Sequence, residues 1–210
     1  MNLFINRLFT EPRLFFAQLL IVTFSICCHE FCHAWTALKF GDTTAADAGH
    51  LTLNPIRQMG LISLLMLALI GIAWGSVPVD PARMRHRYAP AAVAAAGPGC
   101  NLVLSQIFVL AAFGYTLVPG AQYFPFAMLF FGAVINLVLC IFNALPLPGL
   151  DGWSVLTNFF PQLARGNSEV LKGSMFMLIV LLIAFFDKLA DLAIWAANGE
   201  LELLAGIVGR

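Results

Sequence analysis

The chain has 210 residues, 60% hydrophobic and only 10% charged, with a mean hydropathy of +0.88, whereas an ordinary soluble domain is about 25% charged. Its 11 basic and 11 acidic residues cancel, which excludes the cationic footprint of a nucleic-acid binder and the acidic tail of a solvated interaction segment. This is the composition of an integral membrane protein whose first partner is the lipid bilayer; it leaves no room for a second soluble domain and specifies no oligomeric state.

In chain order, Arg7 and Arg13 precede an apolar run with no small-residue cleavage site after it, which reads as a retained anchor rather than a secretory signal. A spanning helix needs roughly 20 predominantly apolar residues. Leu14 to Leu38, Met59 to Val79, Ala91 to Phe113 and Phe124 to Leu147 meet or approach that length, and a weaker fifth stretch from Gly173 meets Asp187 and Lys188 early. No Asp, Glu, Lys, Arg or His occurs from Arg87's neighbour Tyr88 to Leu150, and the Gly and two Pro of "YTLVPGAQYFP" divide this run into two helices. Between the first two apolar stretches, "HLTLN" alternates apolar and polar residues, which predicts a short strand or hairpin ended by Pro55. The tail from Asp187 mixes Asp191 and Glu200 with Leu192, Ile194 and Trp195 and predicts an interfacial helix. Cys27, Cys28, Cys32, Cys100 and Cys140 all lie in apolar stretches and read as small buried thiols, not as a disulfide framework.

The chemistry enters with "CCHEFCHAW", residues 27 to 35. On a helix, His29 and His33 are four residues apart and share a face, so two imidazoles can converge on one ion while Glu30 stands beside it. Ionisable groups at membrane depth are costly and usually functional. A catalytic zinc takes three protein ligands and leaves a fourth position open, so a third ligand has to come from elsewhere. Asp42, Asp47, Asp80, His86 and Asp151 are available. Asp151 stands out because Pro146, Pro148 and Gly149 of "NALPLPGLDG" end a span and let a short carboxylate turn inward.

HEFCH (29 to 33), AGPGCN (96 to 101) and NALPLPGLDG (143 to 152), in this order, resemble the three signatures of the site-2 protease family of intramembrane zinc metalloproteases. "GHLTLNP" and "VPVDPARMR" further resemble its compact branch without a PDZ domain, with His50 where relatives tend to have Arg. The resemblance covers roughly residues 14 to 160 and implies one Zn²⁺ held by His29, His33 and Asp151, with Glu30 as general base and then acid. It also implies that Asn143 helps position substrate or the loop carrying Asp151, whereas for Asn101 plain helix packing through Gly97, Pro98 and Gly99 explains the motif equally well. Independently of the resemblance, an edge formed by Leu51, Thr52, Leu53 and Asn54 would pair with a partly unwound substrate, so that main-chain hydrogen bonds are exchanged rather than lost.

The expectation is thus one membrane-embedded metalloprotease domain over 1–210, with a catalytic core at about 14–160 and C-terminal helices over 171–210. It would cleave single-span membrane proteins; the alternative is a non-proteolytic zinc-binding regulator of the same fold. For His29, His33 and Asp151 to meet one ion, the helices carrying them must run in the same direction, which requires one intervening apolar stretch to dip in and return. Met59 to Val79, interrupted by Gly60, Gly71, Gly75 and Pro78, is the one chosen. The predicted architecture is all-α and polytopic, with four transmembrane helices plus this re-entrant segment, or five or six spans as the alternative. Seven basic residues against four then favour a cytoplasmic active-site end in a prokaryotic cytoplasmic membrane.

Overall fold

A computed structural model describes residues 4–165 and 168–209, and for 164–165, 168–172 and 174–183 it describes the backbone alone. The chain divides into two compact units, Met1–Cys100 and Asn101–Arg210.

The first unit is organised by helix α1, Pro12–Lys39, which starts with Pro at its first turn, where the missing N–H costs nothing. Its 28 residues rise about 42 Å, more than the roughly 30 Å of a bilayer's hydrocarbon core. Phe16, Leu20 and Phe24 are exposed along one stripe, the face that lipid would cover. The opposite stripe, Ile26, His29, Glu30, His33, Ala34 and Ala37, is buried, as a period of three to four residues requires.

After α1 the chain turns through Asp42, which is fully buried. Burial alone would raise its pKa. Hydrogen bonds from the Thr44 hydroxyl, the Asp80 amide and the Thr44 amide outweigh that and hold the carboxyl below its ordinary value. Asp42 therefore ties the end of α1 to residue 80, and Asp80 in turn caps the short turn Pro81–Arg83 through the Ala82 amide.

The expected strand at "HLTLN" does not form. Among the described residues there is no strand at all, and Leu51 to Asn54 is an irregular bend. The reason is local: the Gln58 side-chain amide donates to the carbonyls of both His50 (2.9 Å) and Thr52 (2.6 Å), taking bonds a partner strand would need. Asn54 meanwhile caps the turn Pro55–Gln58 through the Ile56 amide.

Helix α2, Gly60–Ile70, has 11 residues and rises only about 16 Å, too short to cross. Gly71, at φ 81°, ends it in the left-handed conformation that favours glycine. The chain then doubles back: Trp74 bonds to Ser63 and the Ser76 amide donates to the Gln58 carbonyl. Helix α3, Ala89–Thr116, begins in this unit with a run of small residues whose Ala89, Ala91, Val93 and Ala94 are buried.

In the second unit the remainder of α3 packs with α4, Tyr123–Ala144, and α6, Ser168–Ile207. Val109, Ala133, Val134, Val138, Ala193 and Ala197 form its apolar core. Gly132 lets the Phe108 ring lie against the α4 backbone. Between α4 and α6, Asp151–Phe159 forms the short helix α5. The C-terminal helices expected over 171–210 are one: α6 runs through Asp187 unbroken, as a single helix of 40 residues. The predicted fourth span falls largely on residues 174–183, whose side chains lie outside the described ones. Among the described residues three helices, α1, α3 and α4, are long and apolar enough to cross a membrane.

Candidate metal centre

In the first unit, α1 presents His29, Glu30 and His33, each less than a tenth exposed. The two Nε2 atoms lie 3.0 Å apart and the ring planes are inclined at 81°. Two ligands of one tetrahedral zinc at ordinary bond lengths have nitrogens about 3.3 Å apart, so the pair needs only a small opening to share an ion. His33 Nδ1 lies 2.7 Å from the Val93 carbonyl of α3. A carbonyl only accepts, so Nδ1 carries the proton and Nε2 keeps its lone pair, the tautomer that binds metal.

Gly97 shapes the other side of this centre. A Cβ there would run into both His33 Nε2 and His29 Nε2. The glycine of AGPGCN thus leaves the space an ion would fill, and the residues present fit zinc. Gly75, in the returning segment after α2, lies against the Glu30 carboxylate in the same way. Of the cysteines, Cys27 is buried and the others are half-buried; Cys32 is hydrogen-bonded to Cys100.

In the second unit, Asp151 is the first residue of α5, with Leu150 at the cap. It lies inside the first turn, where a carboxylate is favoured by the helix dipole. Gly152 fixes that turn, because a Cβ there would meet the Ala144 backbone carbonyl at the end of α4. Asn143 bonds back to the Leu139 carbonyl of its own helix at 3.0 Å. Asn101 donates to Asn136 at 2.9 Å, and Asn136 to the Gly132 carbonyl, so Asn101 joins two helices as the packing reading of its motif implies.

The other acidic and imidazole candidates are engaged elsewhere. Asp42 and Asp80 serve the loop after α1, and Asp47 accepts from Thr43. His86 accepts from the Tyr88 amide and His50 bonds Gln58. Leu51, Leu53 and Asn54 are exposed and Thr52 is half-buried. Sequence reasoning missed Gly75, Ser63, Gln58 and Asn136. The last three had a usable signal, each being a polar residue within or beside an otherwise apolar stretch; Gly75 had none beyond being a glycine.

The chain is 35% identical over 183 residues to YwhC of Bacillus subtilis (strain 168), covering 84% of this chain and 82% of that protein. It is 33% identical over 170 residues to Rip2 of Mycolicibacterium smegmatis, covering 76% of this chain and 63% of the relative. For Rip2 of Mycobacterium tuberculosis (strain H37Rv) the figures are 32% over 167 residues, 76% and 64%. The chain therefore spans just under two thirds of the mycobacterial relatives. All three carry the provisional name of zinc metalloprotease. No protein-family model and no solved structure matches the chain.

Proposed function

Because the chain belongs to the site-2 protease family of intramembrane zinc metalloproteases, we propose that it is a zinc metalloendopeptidase cutting single-span membrane proteins in or near their transmembrane segments. The observation that carries this is the His29–His33 pair, whose nitrogens converge on the space Gly97 leaves, with Glu30 alongside. His29, His33 and Asp151 each offer one ligand atom of a kind that zinc accepts, and we assign them as the ligands of one Zn²⁺.

Zinc bound there supplies Lewis acidity, polarising a carbonyl and easing the deprotonation of water. Glu30 takes the proton of the attacking water and delivers it to the leaving amine. Glu30 sits on the same helix as the two assigned imidazoles and next to one of them, so the ligand set and the base belong to one design. Leu51 and Leu53 offer exposed apolar side chains to an unwound substrate, with Thr52 and Asn54 between and beside them. Asn143, bonded to the Leu139 carbonyl, supports the end of α4 ahead of the loop that carries Asp151, and Asn101, through Asn136, holds α3 to α4.

The half-length α2 and the return of Trp74 and Ser76 towards its start support a re-entrant segment between α1 and α3. With that topology the excess of Lys and Arg lies at the active-site end, which favours a cytoplasmic orientation in a bacterial cytoplasmic membrane.

The test is to incubate the purified full chain with a panel of labelled single-span proteins. Cleavage within or beside an apolar segment is expected, abolished by a chelator and restored by stoichiometric zinc. A chain that binds zinc and the panel but cuts none of it would be the non-proteolytic regulator.

A further inference from the structure

The segment after α2 is non-helical from Gly71 to Asp80, and its middle lies on Glu30. Irregular backbone at membrane depth persists only where the protein itself satisfies its polar groups, and two residues do this here. Ser63, 1% exposed in an otherwise apolar helix, uses one hydroxyl twice: it accepts from the Trp74 amide at 2.9 Å and donates to the Trp74 carbonyl at 2.6 Å. Gln58, also 1% exposed, receives the Ser76 amide on its backbone carbonyl at 3.1 Å. Gly75 is thus fixed on both sides, and its backbone approaches Glu30 so closely that a Cβ would collide with the side chain's Cγ and carboxylate.

We propose that Ser63 and Gln58 are positioning residues that pin Trp74–Gly75–Ser76 against Glu30 and so set the place of its carboxylate. The role rests on the hydrolase reading above. Gly75 walls one side of the carboxylate with backbone that cannot swing away while Ser63 holds it. The Gln58 side chain extends the same brace to the His50 and Thr52 carbonyls, so the bend carrying Leu51 and the segment on Glu30 share one anchor. A proton-transferring group needs such a brace because a displacement of about 1 Å costs on the order of 100-fold in rate.

The experiment compares the native chain with Gly75→Ala, Ser63→Ala and Ser63→Thr, using Gly114→Ala, whose added Cβ meets nothing within 4 Å, as control. Zinc content, kcat, KM and the rate of carbodiimide coupling at Glu30 are measured. Gly75→Ala is expected to lose about 100-fold in kcat, with KM within about twofold of native and zinc retained. Ser63→Ala is expected to lose about 10-fold in kcat and to couple carbodiimide at Glu30 several times faster, with Ser63→Thr restoring both towards native. Native coupling rates in both alanine variants overturn the proposal, as does a loss confined to KM or to zinc. Faster coupling in Ser63→Ala, in a chain that cleaves nothing, would leave the pin standing and sink the hydrolase reading instead.

Discussion

Gly97→Ala is expected to lower zinc affinity by at least about 100-fold, while the helix that carries it folds as well as before. Outer contacts to a metal ligand ordinarily change affinity by about 10- to 100-fold. Here the added methyl lands on the two donor atoms themselves, and backbone on α3 cannot retreat as a flexible side chain would. Alanine is otherwise the better helix residue by about 1 kcal/mol, so general destabilisation is not expected. Competitive zinc titration and a thermal melt of the metal-free protein check both halves. Gly99→Ala, where the added Cβ meets nothing within 4 Å, should bind zinc as the native chain does. Equal zinc affinity in the two variants would mean that the metal does not sit where His29 and His33 converge.

Glu30→Gln is expected to reduce kcat by about 1,000- to 10,000-fold, the upper part of the range for removing a positioned acid–base group. Glutamine has nearly the same shape, so it can keep the packing of Glu30 against Gly75 but can neither take nor return a proton. Zinc content and KM should stay close to native, because Glu30 is not among the assigned ligands. Cleavage of a labelled single-span substrate, with zinc measured on the same preparation, separates the outcomes. Activity above about a tenth of native would remove Glu30 from the role of base.

The parts of this molecule that sequence made legible follow from patterns whose partners are close in the chain. Helices α1, α3 and α4 lie within three residues of the apolar stretches that predict them, because a long charge-free run has few alternatives to a helix in lipid. His29 and His33 share a face because their spacing is four, and any helix would pair them. What the sequence could not show depends on which backbone comes near which side chain. Alternation in "HLTLN" has the period of a strand, but Gln58, only four residues beyond Asn54, takes the carbonyls a strand would offer. The mixed tail after Asp187 reads as distinct from the apolar stretch before it, but no Pro or turn separates the two, and α6 continues through both. The glycines 75 and 97 read as loop and packing residues until the collision each avoids is visible. Asn101 was legible in kind but not in partner, because Asn136 lies 35 residues away on another helix.

The central claim is that one zinc ion is held jointly by His29, His33 and Asp151, and the zinc dissociation constant of Asp151→Ala tests it most directly. Metal-free Asp151→Ala should melt as the metal-free native chain does, yet bind zinc at least about 100-fold more weakly, since two imidazoles alone fall one ligand short of a catalytic zinc site. A native dissociation constant in that variant would contradict the account.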